Sequence, residues 1–418
     1  MKLKKIELKN FYQFKDFTLD LTYPKGHPKE GQALEKVCFI GQSGTGKTTL
    51  LKLIRYSLND LFSKSNNSFD FPNQTCKIEL KYEYENGNFN YHPIIENAQR
   101  ISGAYKTSHQ IPNVQDEKNL QSFLGNARMG KRIQYFYYPA EMLYNSSMAN
   151  YNTESSILID FDEIYGATAL QFIINKIKIY REQYLDFLLK LDNRIQKDNT
   201  IDYNQERKKW SEENENPVDD LAQNCLDKLL NKFHLKTKRE FDEINKIDLQ
   251  IINLATNQEI PFQNLSTGTK QMICTSIPLY MKIPDEAIIL FDEPERSLFP
   301  DLQQMLIKYY TGFAPTCQFF FATHSPIIAS QFDSAERIIL QFDDAGNIFA
   351  ERGHAPEGDD PNDLLTKDFM MKNLLGDKAY QDFQRYIEIK TLMRFEDNSD
   401  QKEKLAAEFL ELGMKYNF

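Results

Sequence analysis

The feature that most constrains the fold is a glycine-rich loop between an apolar run and a helical pattern. Residues 36–40 read KVCFI, the loop GQSGTGKT occupies residues 41–48, and an amphipathic stretch continues to Phe62. Glycines let the backbone wrap an anion with its N–H groups pointing inward, and the positive end of the following helix adds to the attraction. The order strand, loop, helix distinguishes a phosphate-binding loop from a chance glycine turn.

A phosphate-binding loop of this kind assigns a task to its last residues. Lys47 is expected to bridge the β- and γ-phosphates of a nucleotide, and Thr48 to offer its hydroxyl to Mg²⁺. The sequence therefore predicts a nucleoside triphosphate site whose binding residues are Gly41, Gln42, Ser43, Gly44, Thr45, Gly46, Lys47, Thr48 and Thr49.

A second apolar run, IILF at residues 288–291, ends in Asp292 and Glu293. This pattern predicts a buried strand that delivers two carboxylates to the carboxyl edge of a sheet, where open α/β sheets bind ligands. Asp292 suits Mg²⁺, which prefers a few carboxylates together with phosphates. Glu293 is placed to orient or deprotonate an attacking water. Downstream of a phosphate-binding loop, this interpretation is preferred to a plain acidic strand end.

Two shorter patterns accompany these motifs. Ser266 and Gly268, in NLSTG, precede a helical pattern over residues 269–281. A Ser-x-Gly turn before a helix is an anion cradle, but by itself it is also an ordinary helix N-cap. His324 follows the apolar run 317–322, where it could hydrogen-bond a γ-phosphate. Taken alone, this residue is more often a structural histidine.

The order of these four motifs resembles the ABC ATPase superfamily, in which the signature of each subunit serves the nucleotide held by the opposite one. The resemblance implies ATP and Mg²⁺ as ligands, Lys47, Glu293 and His324 as catalytic residues, and Thr48 and Asp292 as metal ligands. Ser266 and Gly268 would then act across a dimer interface. One site alone lacks donors on the open side of the γ-phosphate, and two facing heads complete both sites.

Further stretches resemble a subgroup of that superfamily. The opening strands and residues 292–307, DEPERSLFPDLQQMLI, are similar to SMC/RecF/OLD-type ATPases. Phe299 stands where their pattern has histidine, so no role of that histidine is carried over. Residues 353–370 resemble compact bacterial anti-phage defence ATPases, such as the Septu PtuA-like and retron-associated ones. This resemblance implies a homodimer or higher homo-oligomer that regulates a protein effector such as a nuclease.

The expected fold class is α/β: a P-loop NTPase of ABC-head type with a mixed sheet core, an antiparallel β lobe, a helical insertion and a helical C-terminal region. We predict the head in two parts, residues 1–167 with the phosphate-binding loop and β lobe, and residues 235–355 with the signature, Asp292 and His324. The helical insertion covers residues 168–234, as a short antiparallel pair, and the helical C-terminal region covers residues 356–418.

Local patterns predict the individual elements. Alternating residues predict strand pairs, and apolar stripes predict helices. The predicted strands are 2–9 with 17–21, 75–85 with 89–95, 133–138, a hairpin within 247–262, and 337–341 with 347–351. The predicted helices are 168–197, 218–233 and a crossover helix at 301–310, with the polar residues 208–220 interpreted as a loop.

Composition limits the remaining functions. No apolar run approaches the roughly 20 residues that span a bilayer, so we expect no membrane partner and a cytoplasmic protein. Five scattered cysteines without a CxxC pair indicate buried reduced thiols. A net charge of −10 argues against nucleic-acid binding by the whole surface, although a local basic groove stays open.

Several alternatives are left open by the sequence. Such ATPases place a glutamine near Mg²⁺, and the candidates for its position in this chain are Gln134 and Glu141. Asn245-Lys246-Ile247-Asp248 matches a guanine-reading motif but follows a polar segment, so GTP specificity is not favoured. Arg128, Lys131 and Arg132 form either a solvated loop or a nucleic-acid contact. The rival functions are a RecF-like DNA-binding repair ATPase and an ATP-dependent scaffold with little hydrolysis.

Overall fold

The structure is a computed structural model, and it describes residues 1–63, 76–84, 87–91, 135–141, 158–160, 170–239, 249–282, 284–371, 373–396 and 398–416. The strands of these ranges are β1 (Lys2–Phe11), β2 (Phe14–Asp20), β3 (Lys36–Gly41), β4 (Lys77–Tyr84), β5 (Gly87–Tyr91), β6 (Tyr135–Tyr138), β7 (Leu158–Asp160), β8 (Leu235–Thr237), β9 (Ile251–Asn253), β10 (Glu259–Ile260), β11 (Ile288–Asp292), β12 (Gln318–Ala322), β13 (Arg337–Phe342) and β14 (Ile348–Arg352).

The helices are numbered in the same way, and short π and 3₁₀ turns at Ala222–Leu226 and Asn231–Phe233 flank the fifth. They are α1 (Lys47–Ser63), α2 (Gln171–Ile195), α3 (Tyr203–Glu213), α4 (Pro217–Leu221), α5 (Asp227–Leu230), α6 (Thr267–Lys282), α7 (Pro300–Phe313), α8 (Pro326–Ala329), α9 (Pro361–Lys367), α10 (Asp377–Phe395) and α11 (Ser399–Tyr416).

A seven-stranded mixed sheet forms the centre, in the order β14-β13-β3-β12-β11-β6-β7. All neighbouring pairs are parallel except β13 with β14. A four-stranded antiparallel sheet has the order β2-β1-β4-β5, and a three-stranded one has the order β10-β9-β8. The predicted α/β fold, with a mixed sheet core, antiparallel sheets and helices, is confirmed.

Alternating residues of the central strands enter two separate hydrophobic cores. Phe39 and Leu290 pack with α1 and the four-stranded sheet on one face. Ile40 and Phe291 pack with α2, α6 and α7 on the other face. Both faces of the parallel strands are covered, which explains why their sequences are almost continuously apolar rather than alternating.

The predicted strand pairs are confirmed within the described ranges, as are the crossover helix α7 and the helical character of residues 217–233. The prediction of a loop over residues 208–220 is wrong, because residues 203–213 form α3. Asp202 caps this helix by accepting hydrogen bonds from the backbone N–H groups of Asn204 and Gln205. Trp210 then stacks on Phe187 of α2, with ring centroids 5.5 Å apart.

Within residues 170–234, an antiparallel helix pair is formed by α2 and α3, whereas the sequence suggested residues 168–197 with 218–233. Residues late in α2 contact residues early in α3, since the guanidinium of Arg194 donates to Glu206 at 2.8 Å. Earlier in α2, Tyr184 lies 4.9 Å from Trp210 between ring centroids. The polar outer face of α3 carries no buried residue, which accounts for its loop-like composition.

The C-terminal region is helical, as predicted. Its first part is attached to the central sheet by a fully buried ion pair, in which Arg337 Nε of β13 lies 2.8 Å from Asp368 Oδ2. Asp368 Oδ1 also accepts hydrogen bonds from the backbone N–H groups of His354 and Ala355. Beyond this anchor, α10 and α11 form an antiparallel pair joined by Arg385 and Glu408.

Two predictions from composition concern the described residues. All five cysteines are buried and unbonded, as expected of reduced thiols. Within the described ranges, no helix is both long enough and apolar enough to cross a membrane.

Candidate functional site

The glycine-rich loop lies between β3 and α1, as the sequence predicts. Gly41, Gly44 and Gly46 have φ values of +142°, +85° and +87°, a backbone region that favours glycine. A Cβ at Gly41 would lie 2.2 Å from the carbonyl oxygen of Leu340, and one at Gly46 would lie 2.5 Å from Phe14 Cζ. Glycine is therefore required at both positions for the loop to pack between β13 and β2.

The top of the loop is open to solvent, while its base is enclosed. Gln42, Ser43 and Gly44 are exposed, whereas Thr45 and Lys47 are buried. The ammonium of Lys47 donates hydrogen bonds to the carbonyl oxygens of Gly41 and Gln42, at 2.8 and 3.0 Å. Burial lowers the pKa of Lys47, and the nearby carboxylates of Glu293 and Asp292 partly oppose that shift.

The structure brings Asp292 to the start of α1, which is 244 positions away in the sequence. Thr48 Oγ1 donates a hydrogen bond to Asp292 Oδ1 at 3.0 Å. Burial is the main cause that raises the pKa of Asp292 to about 6, and the hydrogen bond from Thr48 opposes it. Thr49, the next residue of α1, is half-buried.

These residues fit a nucleotide-bound Mg²⁺ ion better than a metal site made by protein alone. One hydroxyl and one carboxylate leave most of an octahedral shell to phosphate oxygens and water, which is how Mg²⁺ is usually held. Among the described residues, no group of three or more His, Cys, Asp or Glu side chains is arranged to hold a metal.

Glu293 and His324 lie beside each other at the ends of β11 and β12. Glu293 Oε1 is 3.8 Å from His324 Nε2, and both side chains are partly exposed. The backbone of Glu293 has φ +46°, and its N–H donates to the carbonyl oxygen of Ala322 at 2.8 Å. Burial and then Lys47 lower the pKa of His324, which favours its neutral form.

The NLSTG segment starts α6. Ser266 is exposed, and its hydroxyl accepts a hydrogen bond from the backbone N–H of Thr269 at 3.1 Å, so Ser266 is the N-cap of the helix. Gly268 is buried, and a Cβ there would lie 2.4 Å from the carbonyl oxygen of Ser297. The NLSTG segment therefore packs closely on the loop that follows Glu293.

Sequence reasoning missed several contacts of the site. Gln13, in the turn between β1 and β2, donates from Nε2 to the carbonyl oxygen of Gly44 at 3.1 Å. Gln271 of α6 donates to the carbonyl oxygen of Pro294 at 3.1 Å. No local signal marks Gln13, because its role depends on how β1 and β2 lie against the loop.

Of the residues whose roles the sequence left open, Glu141 lies within the described residues and the others do not. Glu141 is exposed, and its carboxylate accepts from the guanidinium of Arg296 at 2.9 Å, so it lies beside the loop after β11. Gln134, the basic residues Arg128, Lys131 and Arg132, and the segment Asn245-Lys246-Ile247-Asp248 lie outside the described residues.

The glycine loop, the buried lysine and the Thr48–Asp292 pair on a mixed sheet define a P-loop ATPase. Residues 1–329 match the AAA ATPase domain family, and the chain belongs to that family. One relative, named "Retron Vc95 probable ATPase" and from Vibrio cholerae serotype O1 biovar El Tor, is 22% identical over 78% of this chain and 73% of its own.

A second relative and one solved structure match similar shares of this chain. "Septu protein PtuA" from Bacillus thuringiensis is 23% identical over 77% of this chain and 73% of its own. The solved SMC head domain from Thermotoga maritima is 11% identical over 85% of this chain and 100% of its own, with a TM-score of 0.40. A structural likeness at this level transfers no residue roles to this chain.

Proposed function

We propose that this protein hydrolyses ATP in a bacterial anti-phage defence system, and that closure of two or more copies on ATP controls a protein effector such as a nuclease. The observation that carries the hydrolytic part is the convergence of the glycine loop, Thr48–Asp292 and Glu293–His324 at one edge of the sheet. The defence assignment is supported by two relatives named as a retron ATPase and a Septu protein.

Substrate binding falls to the glycine loop and the start of α1. The residues from Gly41 to Thr49 present backbone N–H groups at a helix N-terminus, which is a favourable place for phosphates. The ammonium of Lys47 rests on two loop carbonyls, and phosphate oxygens of ATP are stronger acceptors for the same donors. Thr48 and Asp292 would hold Mg²⁺, which supplies charge neutralisation for the phosphates.

Glu293 and His324 are assigned to the attacking water. Glu293 is partly exposed and carries a carboxylate that can orient the water or accept its proton. His324, held in its neutral form, can donate from one ring nitrogen to a γ-phosphate oxygen and accept at the other. Their separation of 3.8 Å suits two groups that act on one small reacting region.

Ser266 and Gly268 are assigned to the nucleotide of a second copy. Ser266 is exposed at the N-terminus of a 16-residue helix, where backbone N–H groups and the helix dipole favour an anion. An assembly with exchanged signatures is necessarily symmetric, so a homodimer is the smallest form and a higher homo-oligomer is compatible. The net charge of −10 favours a protein effector over bulk DNA.

The test compares ATP hydrolysis by the wild-type chain, K47A and E293Q, with E351A as a control on the exposed β14 edge of the same sheet. We expect K47A to lose ATP binding and hydrolysis, E293Q to bind ATP but not hydrolyse it, and E351A to match the wild type. Full turnover by K47A and E293Q would refute the site. Assembly on ATP without phosphate release by the wild type would instead favour a scaffold.

The effector assignment needs a separate measurement. Purification of the native complex from its host should recover a protein partner whose activity depends on the nucleotide state of this chain. ATP-dependent DNA binding that weakens steeply with salt, without any such partner, would favour a DNA-repair ATPase instead.

A further inference from the structure

The carboxylate of Glu295 joins the loop after β11 to the loop after β12. Glu295 Oε1 accepts a hydrogen bond from the hydroxyl of Thr323 at 2.6 Å and a second from the backbone N–H of His324 at 2.9 Å. Thr323 is fully buried, so its hydroxyl has no access to water as an alternative partner. Glu295 Oε2 is also enclosed, without a hydrogen-bond partner among the described residues.

This carboxylate is close in sequence and space to both residues assigned to the attacking water. Glu293 precedes it by two positions and has φ +46°, a left-handed conformation that a non-glycine residue keeps only when its surroundings hold it. The backbone N–H of His324 donates its hydrogen bond directly to the carboxylate of Glu295. Release of Glu295 would therefore free both loops at the point where the two side chains meet.

A second contact joins the same two loops further from the site. Gln303 of α7 accepts from the hydroxyl of Ser325 at 2.6 Å and donates to the carbonyl oxygen of Leu298 at 2.9 Å. These bonds fix the outer ends of the loops. Glu295 is the side chain that fixes them next to Glu293 and His324, since both of its donors precede Ser325.

We propose that Glu295 is a positioning residue that holds His324 against Glu293 for ATP hydrolysis. The proposal rests on the function proposed above. Glu295 does not itself serve as the base, because its Oε1 is occupied by two donors and its Oε2 is enclosed. Its role is geometric, so an uncharged side chain that offers the same acceptor oxygen will serve in its place.

The experiment compares E295A, E295Q and the control E351A in steady-state ATP hydrolysis and in direct binding of ATP. We expect E295A to lower kcat by about a hundredfold, the effect of misplacing a catalytic group by about 1 Å. ATP binding should change by less than about threefold, because the donors for the phosphates lie on another element. E295Q should recover most of kcat, because its amide oxygen can accept from both Thr323 and His324.

A second measurement does not depend on ATP hydrolysis. In ¹⁵N-histidine-labelled protein, the amide of His324, assigned with H324Q, should exchange faster with solvent in E295A than in the wild type or E295Q. The proposal is overturned by a normal kcat in E295A, by equal loss of ATP binding and kcat, by E295Q as inactive as E295A, or by unchanged His324 exchange. If the wild type releases no phosphate, the proposed hydrolysis fails, and the exchange measurement alone decides the role of Glu295.

Discussion

Removal of the Asp368 carboxylate leaves the Arg337 guanidinium charged and fully enclosed in the protein. Asp368 also accepts the backbone N–H groups of His354 and Ala355, so Asp368→Ala abolishes three interactions, two of them with the buried donors Arg337 and Ala355. Breaking a buried ion pair by loss of one partner costs about 3–5 kcal/mol, and the orphaned N–H groups place this site at the upper end. For a chain of this length, that corresponds to about 3–5 °C in melting temperature.

A double variant separates the loss of the charge from the loss of the hydrogen bonds to Asp368. In R337M/D368N, the asparagine oxygen still accepts from His354 and Ala355, and no charge is buried. Arg337 also donates to the carbonyl oxygens of Ala329, Phe332 and Ala355, which lose these donors in the double variant. We therefore expect D368A to melt lowest, and both D368N and the double variant to melt between D368A and the wild type, by differential scanning fluorimetry. A D368A melting temperature within about 1 °C of the wild type would refute this account of the pair.

The other predictions follow from the nucleotide site. K47A and S266R should each be inactive alone. In an equal mixture, half of the dimers contain one copy of each variant, and each of these has one intact composite site of its two, so we expect about a quarter of wild-type hydrolysis. No recovery of hydrolysis would contradict exchanged signatures. The pKa of Asp292 is raised to about 6, so between about pH 4 and pH 6 the folded chain keeps a proton on Asp292 that the unfolded chain has released. The stability of the wild type relative to D292N should therefore fall as the pH rises through that window. Urea titrations without nucleotide measure this difference. Gly46→Ala should cost about 2–4 kcal/mol by the same titrations, because of its φ of +87° and the contact with Phe14, and a neutral effect would show that the loop can shift.

The elements at the site were largely predictable, because each motif carries its own context. An apolar run before the glycine loop and another before Asp292 identify two buried strands without any knowledge of their neighbours. Their meeting was predictable as well, since the carboxyl ends of parallel strands share one edge of a sheet. The hydrogen bond between Thr48 and Asp292 is the expected result of that arrangement.

The error over residues 208–220 has a local cause. The segment is polar, and polarity alone favoured a loop, yet Glu, Lys and Arg are good helix formers and Asp202 is a strong N-cap. The helix needs only a narrow apolar contact, which Trp210 provides against Phe187. The cap and the helix propensities were therefore better signals here than the hydrophobic pattern.

The contacts of Gln13 and Glu295 could not be found from local patterns. Gln13 meets Gly44 because the turn after β1 lies over the glycine loop, which is set by the packing of one sheet on another. Glu295 meets Thr323 because β11 and β12 are neighbours in a register that aligns Asp292 with Ala322. Both depend on tertiary relations that a single sequence does not encode in any short window.

The strand order also has a consequence for synthesis of the protein. In the central sheet, β3 lies between β12 and β13, so both of its neighbours come from residues 318–342. At about 5–20 residues per second, a ribosome needs about 15 seconds to one minute to add the residues that separate β3 from these partners. During that interval the glycine loop has no sheet beneath it. The capacity to bind a nucleotide therefore arises late in translation, and a nascent chain that stops before β13 should present an unpaired apolar strand to chaperones.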